Sequence, residues 1–124
     1  MIPAQYEVIL KQLLEKTITG KANWKATSSD NQFLINFKTF SLKVWRYSHP
    51  YDDSSGIAFA VYNDQGKKID DFSVEEGDKQ WELANGMFEN ARRKAFNVEE
   101  ALKLISKELS ADVVGDYPGE QDPS

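Results

Sequence analysis

His49 is the single histidine of the chain, and Asp52 and Asp53 follow it within four residues. Histidine titrates near neutrality, so a carboxylate beside it makes an acid–base pair or one corner of a metal site. Adjacent aspartates in a turn also arise for turn reasons alone, because Asp side chains bond their own backbone. No second histidine and no cysteine exist to complete a tight transition-metal site, so neither a metal nor a cofactor is expected. Ser54 and Ser55 lie close by, but sequence neighbours rarely form a catalytic triad, and no oxyanion arrangement can be read around them.

Three other groups of residues carry chemistry. Asp70, Asp71, Glu75, Glu76 and Asp78 offer oxygen ligands, but their spacing is not that of an EF-hand loop. They read as a solvated acidic segment or as a surface for a basic partner. Arg92, Arg93 and Lys94 fall late in a helical stretch, where cations complement the helix dipole. Contact with an anionic ligand is the functional alternative, and only part of the trio can share a face. The aromatic set is the third group. Trp24 and Trp81 lie in phase with core stripes. Trp45 and Tyr47 share one face with Lys43, and Tyr51 follows in the next loop. If helices cover only the opposite face, Lys43, Trp45, Tyr47 and Tyr51 form an exposed contact surface of a kind typical of interfaces. The seven glycines are scattered, so no phosphate-cradling loop is present, and there is no GxSxG elbow.

The elements that must position these residues follow from periodicity. Residues 3–19 read as a helix, with Tyr6, Ile9, Leu10, Leu13 and Leu14 on one face and Gly20 as its stop. Trp24 and Ala26 then alternate with polar residues as a short strand. Phe33, Ile35 and Phe37 share one strand face, while Phe40, Leu42 and Val44 have the opposite parity. The switch predicts a hairpin turn at Lys38–Thr39. Residues 57–62 form a strongly apolar strand, suited to cover on both faces. Asn63-Asp64-Gln65-Gly66 is a turn into a strand over 67–72. A helix over 79–96 carries Trp81, Ala84, Phe88, Ala91 and Ala95. Asn97, with Glu100, reads as the N-cap of a last helix whose inner face is Val98, Ala101, Leu102, Ile105 and Leu109.

The bulk composition fits this reading. The chain has 124 residues, 40% hydrophobic and 28% charged, as in one globular domain. The net charge of −5 is mostly a tail effect, since residues 111–124 contribute −4. Within the rest, residues 1–51 carry +4, residues 52–78 carry −6 and residues 79–110 carry +1. There is no sustained basic face, so no nucleic-acid footprint is expected. The start lacks the pattern of a secretory signal, and no apolar run is long enough to span a bilayer, so the expected address is cytoplasmic. Residues 1–110 are expected to form one domain and residues 111–124 an acidic disordered tail.

The order of elements, with Leu13, Lys16, Thr17, Gly20, Lys21, Trp24 and Thr27, then Phe33, Phe37, Tyr62, Asn63, Gly66 and Ile69, and finally Leu83, Phe88, Ala91 and Arg92, resembles a loose group of small uncharacterised bacterial domains. The resemblance spans roughly residues 5–109, implies a helix, an antiparallel meander and two helices, and implies no activity. The expected fold is therefore α+β, with a four- to five-stranded antiparallel meander and two C-terminal helices packed on one sheet face. The expected function is a non-enzymatic protein–protein interaction or regulatory module, with a homodimer through a sheet edge or open face among its possible forms. The alternative is a small-ligand sensor or minor enzyme built on His49, Asp52, Arg92 and Arg93.

Overall fold

The computed structural model describes residues 1–115; the tail expected over 111–124 therefore lies largely outside the described residues. The fold is α+β. An N-terminal helix α1 (Ala4–Ile18) precedes five strands: β1 (Lys25–Ala26), β2 (Gln32–Asn36), β3 (Ser41–Ser48), β4 (Ser55–Tyr62) and β5 (Lys68–Glu75). Helices α2 (Trp81–Ala95) and α3 (Val98–Glu108) follow. The strands form one open sheet in sequence order, every pair antiparallel. Short connections between sequential strands suffice for such a meander.

The parity switch falls where the sequence places it. Phe37 N–H donates to Phe40 O at 2.7 Å, closing a tight turn over Lys38–Thr39. Val44 on β3 then pairs with Phe33 on β2 and with Phe59 on β4. Because alternate residues point to opposite faces, Phe33, Ile35, Leu42, Val44, Ile57, Phe59, Phe72 and Val74 all point the same way. All eight are buried. Ala84, Met87, Phe88 and Ala91 of α2 close over them, with Leu10 and Leu13 of α1 beside. Gly66 takes φ 79° in the β4–β5 turn, a conformation that glycine adopts without a Cβ penalty. The register then shifts at Val61/Tyr62, so Ile69 is an extra residue in β5 and is exposed.

Three helical expectations change. Ile9 is exposed, and the buried stripe of α1 runs through Leu10, Leu13 and Thr17. Thr17 is tolerated there because its hydroxyl donates to Leu13 O at 2.7 Å and accepts from Trp24 Nε1 at 3.0 Å, leaving no orphan polar group. Asn97 makes no side-chain cap; it takes φ 55°, a left-handed conformation asparagine tolerates, and links α2 to α3 as a backbone hinge point. Finally, among the described elements α3 rests on α2 alone, and it has no buried residue. Of its expected inner face, Ala101, Leu102, Ile105 and Leu109 are exposed and Val98 is half-buried.

Candidate functional site

With α1 and α2 on one face of the sheet, the other face is set by the odd-numbered positions of β3. Register places three rows side by side. On β3 stand Lys43, Trp45 and Tyr47; on β4, Ala60, Ala58 and Gly56; on β5, Asp71, Ser73 and Glu75. The middle row explains why β4 reads as apolar throughout. Ala58 and Ala60 are buried, yet no helix or strand among the described residues lies over them. They are small enough to be covered by their larger neighbours on β3. Trp45 and Tyr47 remain half-buried and border a depression of about 350 Å³ whose lining includes Ala58, Ser73, Lys68 and Asp71. Lys43 Nζ lies 4.6 Å from the centre of the Tyr62 ring, a cation–π contact that holds its charge on this face.

Glycine at 56 is a geometric requirement. A Cβ there would run into the Tyr47 ring, so Tyr47 can lie flat across β4 only because its neighbour has no side chain. Gly56→Ala is expected to swing the Tyr47 ring off β4 and break its bond to Glu75. The obstruction is the far end of a rotatable side chain, so the stability loss should stay within about 1 kcal/mol. A nuclear Overhauser contact between the Tyr47 ring and residue 56 would vanish in the variant; its persistence would contradict this geometry.

One end of the face carries a titratable cluster that sequence spacing hides. Glu75 accepts a hydrogen bond from the Tyr47 hydroxyl and pairs with His49 Nε2 at 2.6 Å. The Tyr47 and His49 rings meet edge to face at 5.6 Å. Each group responds as its neighbours dictate. Glu75 is held below its ordinary 4.5, first by the Tyr47 hydroxyl and then by His49. His49 is raised above 6.5 by the hydrogen bond to Glu75 and by its charge. Tyr47 is raised above 10.0, chiefly by burial and then by Glu75. The raised histidine stabilises the fold below pH 6.5 and loses that contribution as the pH climbs through its folded value. The lowered glutamate contributes above pH 4.5 and loses it as the pH falls through its folded value. The ion pair is therefore complete between about pH 4.5 and 6.5. Glu75→Gln is expected to bring the His49 midpoint back toward 6.5 in an NMR titration of its ring protons; an unmoved midpoint would contradict the pairing.

The remaining candidates separate. Tyr51 is 97% exposed in the loop beyond this end. Asp52 lies in the same loop, but its Oδ1 accepts from Ser54 N at 2.8 Å and from Ser54 Oγ at 2.5 Å, a turn role. Those bonds to Ser54 hold its carboxyl below the usual range. Arg92 and Arg93 belong to α2, on the other side of the sheet, where they bind Glu89 at 3.1 Å and Glu99 at 2.5 Å. The structure thus unites Lys43, Trp45 and Tyr47, adds His49 through Glu75, and leaves Arg92 and Arg93 apart from the His49 loop. Among the described residues, no group of three His, Asp or Glu side chains is arranged to hold a metal ion. No helix among the described residues is long and apolar enough to cross a membrane.

The architecture defines an α+β protein with one helix-covered and one open face of a five-stranded meander. No protein-family model, no curated protein and no solved structure matches the chain, so nothing among known proteins bears on its resemblance to small bacterial domains.

Proposed function

We propose that the chain is a non-enzymatic protein–protein interaction module, acting in the cytoplasm, whose docking surface is the open sheet face. One observation carries this reading. Trp45 and Tyr47, two side chains of the kind that anchor interfaces, border a depression on a face that no described helix or strand covers. Tyr47 is pinned by Glu75, so it has little rotamer entropy left to lose on docking.

The ligand-sensing or enzymatic reading draws less support. His49 and Glu75 satisfy each other, Asp52 serves its own turn, and the two arginines lie elsewhere. The discriminating experiment is affinity capture from a lysate of the encoding organism, with the native chain and a Trp45→Ser, Tyr47→Ser variant in parallel. A protein retained by the native chain and lost by the variant supports the module. Equal retention by both, or a small-molecule melting shift abolished by His49→Ala, would overturn it.

A further inference from the structure

The open face is complementary to itself. Its β3 row is basic at Lys43 and tall at Trp45, while Tyr47 is laid flat across β4 toward Glu75. Its β4 row is flat: Ala60, Ala58, Gly56. Its β5 row is low and acidic: Asp71, Ser73, Glu75. Register aligns these rows level by level, with Lys43, Ala60 and Asp71 on one level, Trp45, Ala58 and Ser73 on the next, and Tyr47, Gly56 and Glu75 on the third. A two-fold axis running along β4 preserves the level and exchanges β3 for β5. It sets Lys43 against Asp71 and Trp45 against Ser73 of the other molecule, twice over, and brings the two Tyr47 rings, each lying across its own β4, together near the axis. The tall Trp45 then meets a low residue, and the basic group meets an acidic one.

Resting on the reading of this face as a docking surface, we propose that its occupant is a second copy of the chain, packed face to face about a two-fold axis along β4. Such a contact is isologous, the commonest closed form of homo-oligomer. It is also the aligned stacking of two sheets, about 10 Å apart and about 30° from parallel. Trp45 supplies the knob, and the depression of about 350 Å³ beside Ala58 and Ser73 supplies the hole. Asp71 already holds Lys68 at 2.8 Å, but that pair is exposed on both sides. A carboxylate has acceptor sites for both lysines, and an exposed pair gives up little when it is shared. Three eight-residue strands make a modest patch, at the small end of stable interfaces. The dimer is accordingly concentration-dependent.

The symmetry provides a test that separates this idea from the broader one. Sedimentation of the full chain across a roughly hundredfold concentration range should show a monomer–dimer equilibrium. Lys43→Glu and Asp71→Lys should each weaken it by about tenfold or more, because each places like charges opposite one another twice. An equimolar mixture of the two variants, or the double variant Lys43→Glu, Asp71→Lys, should restore association, since opposite charges again meet. Restoration also shows that the single variants are folded. A chain that stays monomeric throughout would overturn the self-association while leaving capture of a different protein to decide the docking surface. A dimer indifferent to both substitutions would overturn the proposed face.

Discussion

Phe33→Ala is expected to lower the unfolding free energy by about 3 to 5 kcal/mol. Phe33 is fully buried at the centre of the helix-covered face. Its ring lies 5.5 Å from that of Phe88 and 5.2 Å, edge-on, from that of Phe96. Truncation opens a cavity where β2 meets α2, and the sheet–helix contact has few ways to collapse into it. Since domains of this size are stable by only about 5 to 15 kcal/mol, the variant should sit near the edge of folding at ambient temperature. Urea denaturation followed by far-ultraviolet circular dichroism measures the difference. A loss below about 1 kcal/mol would mean that α2 is not anchored through this ring.

Trp45→Ser combined with Tyr47→Ser is expected to act in the opposite way, sparing the fold and abolishing docking. Both residues point away from the helices, and neither belongs to the buried core cluster. Their removal uncovers Ala58 and Ala60 but opens no cavity beneath α2. Stability should therefore change by no more than about 1 to 2 kcal/mol. Interface anchors of this type account for about 2 kcal/mol or more each, so losing both, about 4 kcal/mol if the two add, should raise the dissociation constant for a partner by roughly several hundredfold. Binding measured by calorimetry beside urea denaturation of the same samples separates the two effects. A variant that binds normally, or one that binds poorly only because it is unfolded, would contradict the assignment of this face.

How far the sequence reveals this architecture depends on the kind of interaction involved. Period-two alternation locates the strands, and the parity break at Lys38–Thr39 locates the β2–β3 turn, because local pattern and tertiary burial agree there. The row of Lys43, Trp45 and Tyr47 can be read for the same reason. Glu75 cannot be found as the partner of His49 and Tyr47, since 26 and 28 residues separate them and only the β3–β4–β5 register brings them together. Residues 57–62 mislead in a different way. Small residues are buried by adjacent side chains with no covering element among the described residues, so apolar composition at Ala58 and Ala60 looks like two-sided cover. Thr17 is invisible to a hydrophobic stripe, because what buries it is a hydrogen bond to the Trp24 indole. Conversely, α3 has an apolar stripe of ideal spacing, yet Ala101, Leu102 and Ile105 are exposed on a helix that, among the described elements, rests on α2 alone.

The central claim is that the open sheet face, and not the helical side, meets the partner. A photo-crosslinking residue placed at Leu34, on the rim of the open face, and separately at Gln12, on the exposed side of α1, addresses this most directly. In cells of the encoding organism, light should trap a protein adduct, either a second copy or a different partner, from position 34 and not from position 12. An adduct from position 12 alone, or none from position 34, would contradict the account.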